Sequence, residues 1–224
     1  KAIVNLVNLS AGEKVSATLP VREFLPDKFV VMVTKRGIIK KTDLAAYSNP
    51  RQGGIIAVSI DEDDELVDVQ LTDGSQDIFL ATRLGMAIRF KEDDVRDMGR
   101  TARGVRGINL GKGDDVIGME IPANNTFMLT VSENGYGKCT SIERYRVQSR
   151  GGKGIINLKT VAKVGNVSGV LQVIGDEQVM LISSTGKVIR LRVNEIPVNQ
   201  RVAQGVKLIE LGGDENLVGL ARTT

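Results

Sequence analysis

Basic side chains recur at one place in a regular cycle of this 224-residue sequence, and phosphate binding is the chemistry that they suit. The residue four positions after a repeated glycine is Lys41, Arg89 or Arg190 in three of four occurrences, and Cys139 in the other. Lysine and arginine bind nucleic-acid phosphates without reading the bases. Together with basic residues near this position or near a second repeated glycine, the candidate DNA-binding residues are Lys35, Arg36, Lys40, Lys41, Arg89, Arg103, Arg106, Lys138, Arg150, Lys153, Lys187, Arg190, Arg192 and Arg201. The alternative is that half-exposed strands carry outward polar residues in any protein.

Most other chemistry is excluded by composition. The sequence has no histidine, so imidazole metal ligands, Ser-His-Asp triads and Cys-His dyads are impossible. The single cysteine, Cys139, rules out a cysteine-rich zinc site and an internal disulfide framework, and it suits a reducing cytoplasm. The tyrosines Tyr47, Tyr136 and Tyr145 have no acidic metal-binding cluster around them, so we expect none to act as a nucleophile. We therefore expect no catalytic residue, metal or cofactor in this chain.

The overall composition is that of an ordinary globular protein of one large domain or two small ones. Hydrophobic residues make up 42% and charged residues 25% of the chain, and no apolar run is long enough to span a membrane. Tryptophan is absent and aromatic residues make up only 4%, which argues against a single-strand binder that stacks bases. The net charge of +3 permits nucleic-acid binding without requiring it, so the arrangement of charges decides.

The elements that position the basic residues repeat through four cycles. Two glycine landmarks keep the same spacing of about 50 residues. They are Gly37, Gly85, Gly135 and Gly186, which we call the hairpin glycines, and Gly54, Gly104, Gly154 and Gly205, which we call the lead glycines. Two landmarks in phase through four cycles indicate a repeat array.

Each cycle has an all-β pattern. Apolar, β-branched runs such as 29–34 and 38–42 flank a hairpin glycine, and two further short strands follow the lead glycine, as at 105–110 and 116–121. Residues 91–98 are the one candidate for a helical turn or two. Four short strands per cycle are typical of a propeller blade, so the predicted fold is an all-β, propeller-like disc. The predicted blades of this single domain, 1–224, are 1–22 (the trailing half of an earlier blade), 23–71, 72–121, 122–173 and 174–224.

Acidic and glycine-rich segments invite other interpretations, which their sequences do not support. The acidic run 61–65 fails as a calcium loop, because Leu66 and Thr72 stand where that loop requires Gly and Glu. Its recurrence at the same phase, at 114–115 and 214–215, indicates solvated turns. The segments 111–113 and 151–154 lack the earlier glycine and the following Ser or Thr of a P-loop, so we expect no ATP binding by this chain.

Several short motifs, in order and at matching spacing, resemble the family of bacterial DNA gyrase A C-terminal domains over essentially all 224 residues. They are Asn134-Gly135-Tyr136-Gly137-Lys138, Gly104-Val105-Arg106-Gly107-Ile108, Ala87-Ile88-Arg89-Phe90 and Glu215-Asn216-Leu217-Val218-Gly219-Leu220. The resemblance implies a β-pinwheel, in which adjacent blades exchange a strand and duplex DNA bends around a basic perimeter. It also implies, as partners, the N-terminal part of gyrase A and, in the ATP-dependent supercoiling holoenzyme, gyrase B. The location implied is the bacterial cytoplasm, in association with the nucleoid.

One hallmark of the family is degenerate here. The family's box of the form Gln-Arg-Arg-Gly-Gly-Lys-Gly has its nearest match in a late blade, at Gln148-Ser149-Arg150-Gly151-Gly152-Lys153-Gly154. We interpret that segment as a repeat copy of the box. Two alternatives stay open: the counterpart C-terminal domain of topoisomerase IV, disfavoured by the regular repeats, and a propeller that serves as a protein-interaction platform.

Overall fold

Nearly all of the regular structure is β-strand, which confirms the predicted all-β fold. The computed structural model describes residues 13–51 and 54–223. Its strands are β1 (Phe29–Thr34), β2 (Ile38–Asp43), β3 (Leu66–Thr72), β4 (Asp77–Thr82), β5 (Met86–Lys91), β6 (Val105–Arg106), β7 (Val116–Glu120), β8 (Phe127–Ser132), β9 (Tyr136–Ser141), β10 (Ile155–Ile156), β11 (Val167–Val173), β12 (Gln178–Ser183), β13 (Val188–Arg192), β14 (Val206–Lys207) and β15 (Leu217–Arg222). A short 3-10 turn follows each hairpin, at Leu44–Tyr47, Glu92–Asp94, Ile142–Arg144 and Val193–Glu195.

The strands form four antiparallel sheets, each built on one hairpin. Their strand orders are β3-β1-β2-β6, β7-β4-β5-β10, β11-β8-β9-β14 and β15-β12-β13. In the first three sheets the last strand comes from the following cycle, so adjacent blades exchange a strand. The strands β3, β7, β11 and β15 pack against one another in succession, and we call them the inner strands. On the other side of each hairpin, β2, β5, β9 and β13 are the outer strands.

The exchange depends on close backbone contact at the lead glycines. Gly154 has a φ of +74°, and a Cβ atom there would lie 2.3 Å from the carbonyl oxygen of Ala87 in β5. Only glycine permits both the left-handed conformation and this approach. The two residues that follow, Ile155 and Ile156, pair with Ala87 and Met86 and complete the second sheet.

The apolar cores lie between neighbouring blades. One core combines Val31 and Ile39 of the first hairpin with Leu80 and Ile88 of the second. A second core joins the third and fourth sheets, for example Leu129 with Leu181. Because Leu80 and Leu129 are fully buried in these cores, truncating either one removes about 2 to 5 kcal/mol of stability. The blades therefore stabilise each other as a stack.

Three local predictions can be compared with this fold. Residues 54–60, predicted to be a strand, form none, because lead segments become strands only by pairing with a preceding outer strand. In the predicted trailing half blade, residues 1–12 lie outside the described residues, and 13–22 form no strand. The helical turn predicted within 91–98 is the 3-10 turn Glu92–Asp94. None of the helices in the described part of the chain is long and apolar enough to cross a membrane.

Candidate nucleic-acid interface

Three loops, one from each of the second, third and fourth blades, cover the outer strand of the blade before. These inter-blade loops are residues 98–104, 148–154 and 199–205. The entry to each loop is fixed by a backbone hydrogen bond: Met98 N–H to Lys41 O at 2.9 Å, Gln148 N–H to Arg89 O at 2.8 Å and Asn199 N–H to Cys139 O at 2.8 Å. The exit of each is the exchanged strand, which pairs with the same outer strand. Each loop is thus clamped at both ends against the neighbouring blade.

In the first three blades, the position four residues after the hairpin glycine therefore faces the next blade rather than solvent, whereas Arg190 of the fourth blade is exposed. Lys41 is buried, and its Nζ lies 2.9 Å from a carboxylate oxygen of Asp97. Arg89 donates from Nε to Asp77 at 2.7 Å and from Nη1 to the carbonyl oxygen of Ile142 at 3.0 Å. Alternation along the strand predicts that Arg89 and Arg190 point outward. Arg190 is exposed, but the Arg89 side chain is enclosed between blades, so the prediction is wrong for Arg89. The physical reason is that β5 has a neighbouring blade on each face, since Ile88 packs in the core shared with the first hairpin and Ala87 in the core shared with the third.

The carboxylate of Asp77 is held ionised by these contacts. Burial acts to raise its pKa, but hydrogen bonds from Lys91 and Arg89 outweigh burial and hold the pKa below its ordinary value. The Arg89 and Asp77 side chains are only 12% and 6% exposed. Arg89 thus serves the packing of two blades.

Two other predicted cations, Lys40 and Lys138, are also buried. Lys138 Nζ donates to the carbonyl oxygens of Gln200 and Arg201, both at 2.7 Å. Lys40 Nζ donates to the carbonyl oxygens of Ala57, at 2.6 Å, and Arg100. Burial, assisted by the charges of Arg100 and Arg201 respectively, lowers the pKa of Lys40 to about 8 and that of Lys138 to about 7. Neither ammonium group is available to a ligand at the surface.

The remaining predicted cations lie at or near the surface. Arg36, Arg103, Arg106, Lys153, Lys187, Arg190 and Arg192 are exposed, and Lys35, Arg150 and Arg201 are half-buried. Arg103 and Lys153 occupy the same phase, immediately before the lead glycine of consecutive cycles. The structure therefore divides the predicted set into these ten residues and the four that lie enclosed between blades, Lys40, Lys41, Arg89 and Lys138.

Two of the exposed arginines are paired with the acidic run 61–65. Arg103 donates to both carboxylate oxygens of Asp61, with its Nε at 2.9 Å from Oδ1 and its Nη2 at 2.5 Å from Oδ2. Arg36 Nη2 lies 3.2 Å from Asp63. The hydrogen bond from Arg103 lowers the pKa of Asp61 and raises that of Arg103. The acidic run is thus more than a solvated turn, since it occupies cations that could bind phosphate.

Arginines four residues before the lead glycine form a repeated bridge between cycles. Arg100, Arg150 and Arg201 each donate from Nη1 to the carbonyl oxygen two residues after the preceding lead glycine, at 2.9, 3.0 and 2.8 Å. The acceptors are Ile56, Arg106 and Ile156. A guanidinium has five donors, so these bridges leave others free for a phosphate.

The predicted set left out several exposed cations. Arg96 and Arg146 follow the buried residues Val95 and Tyr145, one 3-10 turn after their hairpins. Arg144, Lys159 and Lys207 are also exposed. The signal that could have found Arg96 and Arg146 is the cycle spacing itself, which relates the two positions.

The box-like loop 148–154 is committed to the inter-blade contact. The Gly151 N–H donates to Gly107 O at 2.7 Å, and the Asn109 N–H donates to Gly152 O at 2.9 Å. Arg150 Nε donates to Asp94 O at 2.7 Å. Lys153 is the exposed cation of this loop. The loop therefore offers a side chain, rather than a cradle of free backbone N–H groups, to an anion.

Two of the candidate nucleophilic side chains, Cys139 and Tyr145, are enclosed, whereas Tyr47 and Tyr136 are half-buried. Burial raises the pKa of the Cys139 thiol to about 12. Tyr145 is buried and donates to Asn157 Oδ1 at 2.5 Å, and burial raises its pKa as well. Among residues 13–51 and 54–223, no group of three His, Cys, Asp or Glu side chains is placed to hold a metal ion. The chemistry of the described surface is that of charge and hydrogen bonding.

Sequence comparisons show which known proteins this chain resembles. The family model described as the DNA gyrase C-terminal domain, a beta-propeller, matches residues 28–73, 76–123, 126–173 and 177–224. The chain is 47% identical over 222 residues to DNA gyrase A of Salmonella typhimurium, and 42% identical over 223 residues to that of Staphylococcus aureus. These alignments cover 99% and 98% of the chain but 25% of each relative. The chain thus spans about a quarter of the curated relatives that it matches.

Two solved structures share the fold. The structure of a DNA gyrase A C-terminal domain superposes with a TM-score of 0.91 at 24% identity, over 100% of this chain and 75% of that one. The C-terminal domain of a DNA topoisomerase IV superposes with a TM-score of 0.92 at 24% identity, over 99% and 70%. Identities at this level show the fold alone.

Proposed function

The chain belongs to the family of DNA gyrase C-terminal domains, and from this membership we propose that it binds duplex DNA along its perimeter and bends it. In this proposal the chain catalyses nothing itself. It wraps DNA beside the catalytic N-terminal part of gyrase A, and so presents a second segment for passage. In the holoenzyme, with gyrase B and ATP, this wrapping favours negative supercoiling in the bacterial cytoplasm.

The observation that carries the proposal is the recurrence of exposed cations at the same phase of consecutive cycles. Arg96 and Arg146 form one such pair, and Arg103 and Lys153 form another. Equivalent positions in successive blades of a propeller lie at the same radius. Exposed cations at these positions therefore trace an arc around the stack, which fits a bent polyanion.

Bending requires contacts on more than one blade. A tight bend of a few tens of base pairs costs on the order of several kcal/mol. Phosphate contacts on successive blades offset this cost only when the DNA follows the arc. We therefore propose that exposed cations of neighbouring blades act together, without strong preference for DNA sequence.

The two alternatives are separated from this proposal in different ways, the topoisomerase IV domain by sequence similarity and the interaction platform by DNA bending. The likeness to a topoisomerase IV domain concerns the fold, whereas the sequence relatives named above are gyrase proteins. An interaction platform for proteins would leave DNA straight or unbound.

The deciding experiment is energy transfer between the two ends of a short labelled duplex. We expect the ends to approach on adding protein, with binding that weakens steeply as salt rises. Neutralising Arg96, Arg103, Arg146 and Lys153 to glutamine should reduce bending before it abolishes binding. Ends that stay apart while protein is bound would refute the wrapping role.

Matched controls are available on the same molecule. Lys112 and Lys163 are exposed and lie at one phase of consecutive cycles, in the turns before inner strands. Their change to glutamine alters net charge in the same direction as the perimeter variants. We expect that it leaves bending unchanged.

A further inference from the structure

Two buried ammonium groups lie beneath inter-blade loops. Lys138, in the middle of β9, has no solvent exposure, and its Nζ contacts the carbonyl oxygens of Gln200 and Arg201 and the hydroxyl of Thr140. Thr140 in turn donates to the carbonyl oxygen of Asn199 at 3.1 Å. Three consecutive carbonyls of the loop 199–205 are therefore held from below.

The same arrangement recurs two blades earlier. Lys40 occupies the equivalent place in β2, three residues after its hairpin glycine, and is 1% exposed. Its Nζ donates to Arg100 O in the loop 98–104 and to Ala57 O. Because the lysine recurs at the equivalent position on two blades, we interpret Lys40 and Lys138 as having the same structural role.

Core packing alone does not require a lysine at this position. In the intervening blade the equivalent residue is Ile88, which is fully buried and belongs to the apolar core. Burying an ammonium group costs free energy that an isoleucine would not incur, unless hydrogen bonds satisfy the charge. Unlike the isoleucine, the lysines thus supply hydrogen-bond donors to the inter-blade loops 98–104 and 199–205.

One of the carbonyls that each lysine binds belongs to a bridging arginine. Lys138 binds Arg201 O, while the Arg201 side chain reaches Ile156 O at 2.8 Å. Lys40 binds Arg100 O, while the Arg100 side chain reaches Ile56 O at 2.9 Å. Each lysine therefore fixes the backbone from which a perimeter guanidinium extends.

We infer that Lys40 and Lys138 are positioning residues for the DNA-facing perimeter, each holding the inter-blade loop of the following blade in the conformation that presents its arginine. This inference rests on the proposed function. The lysines act through the loop backbone and touch no DNA. The intervening loop, 148–154, is held by other contacts, such as Gly151 N–H to Gly107 O.

The test is amide hydrogen exchange on Lys138→Ile, which installs the residue that the equivalent position of β5 already holds. The reporter is the Ala203 N–H, which donates to Gln200 O at 3.0 Å. We expect its exchange to become about tenfold faster or more, because a hydrogen bond from a charged donor contributes on that scale. Exchange in loop 148–154 should stay unchanged and serves as the internal control.

Lys40→Met provides the second variant, with the Ala102 N–H, bonded to Gly99 O at 3.1 Å, as its reporter. Slow exchange retained in β8 and β4 shows that a variant is folded, so failure of one variant to fold leaves the other to decide. Exchange unchanged in both loops would overturn the inference, whatever the DNA does.

The DNA measurement separates this inference from the proposed function. If the unmodified chain bends DNA, we expect Lys138→Ile and Lys40→Met to weaken bending several-fold at moderate salt. Loosened loops with bending unaffected would overturn the positioning role alone. A chain that never bends DNA would refute the proposed function, and the positioning role that rests on it, even if the loops loosen.

Discussion

The guanidinium of Arg201 donates to the carbonyl oxygen of Ile156 at 2.8 Å, which links one cycle to the exchanged strand of the cycle before it. Arg150 makes the equivalent link to Arg106 in β6, and Arg100 donates to the carbonyl oxygen of Ile56, which lies at the same phase but outside any strand. An arginine repeated in phase in three consecutive cycles thus has a structural partner in the cycle before it, independent of any ligand. These arginines therefore hold neighbouring cycles together in addition to giving the perimeter positive charge.

Arg201→Ala should lower the free energy of unfolding by about 1 kcal/mol, since a partly exposed hydrogen bond from a charged donor is lost. Urea unfolding followed by circular dichroism measures this change. Arg192→Ala removes an exposed arginine on the neighbouring outer strand β13, and its effect should stay within about 0.5 kcal/mol. Equal losses for the two variants would show that the bridge to Ile156 contributes nothing.

Arg89 and Arg190 occupy the same place in the cycle, but their substitution should have opposite consequences. Arg89→Met leaves the buried Asp77 with Lys91 as its ion-pair partner, so we expect a loss of about 3 kcal/mol of stability. Arg190→Glu lies on an exposed strand, so we expect the fold to persist and DNA affinity to fall. Thermal unfolding and a DNA titration on each variant distinguish the two. An Arg89→Met variant as stable as the parent would contradict the buried ion pair.

Asp61→Asn should strengthen DNA binding, because it releases Arg103 from a carboxylate that occupies its fork of donors. We expect an increase in affinity of less than about tenfold at low salt, falling as salt screens both interactions. Fluorescence anisotropy on a short duplex gives the affinity. Asp214→Asn changes net charge equally in another acidic turn and should have a smaller effect. If the two variants bind alike, the pairing with Arg103 is irrelevant to DNA.

Stability should depend on pH through Glu120, on the inner strand β7. Burial raises the pKa of Glu120 to about 7, the carboxylate of Asp68 adds to the rise, and the Gln172 N–H and the charge of Arg222 oppose it. Between the ordinary value of 4.5 and about 7, the folded state binds more protons than the unfolded state. This contribution to stability is therefore fully present below 4.5 and is lost as pH rises towards 7.

Urea unfolding between pH 4.5 and 7.5 checks this sign. Glu120→Gln should reduce the dependence of the unfolding free energy on pH in this range, because an amide side chain does not ionise there. Glu62→Gln, an exposed residue of the acidic run, should leave the slope as it is. A profile that rises with pH in the parent, and is unchanged by Glu120→Gln, would rule out the buried carboxyl as its cause. Burial also raises the pKa of Asp68, which contributes with the same sign.

The sequence predicts the fold well because the signals for hairpins are local. Gly37 and Gly85 adopt φ values of +78° and +85° between apolar runs, and the repeat of that pattern indicates the array. The solvent exposure of the basic side chains is not determined by local signals in the same way. Whether Lys138 or Arg89 faces water depends on which strand of another blade covers it, and alternation along one strand carries no such information. Their burial was therefore not predictable from the cycle alone.

The exchanged strands also have a consequence for synthesis on the ribosome. The first sheet, which begins at Phe29, is complete only when Val105 and Arg106 of β6 have been synthesised. In the same way, the outer edge of β9 is unpaired until Val206 and Lys207 of β14 have been synthesised. Each of the first three nascent hairpins therefore displays an unpaired edge until a large part of the next repeat has emerged. Exposed edges of this kind are where newly made chains associate wrongly. Each of these three blades thus depends on the next blade to cover its unpaired strand edge. The length of the repeat sets the time between the synthesis of that edge and the synthesis of the strand that covers it.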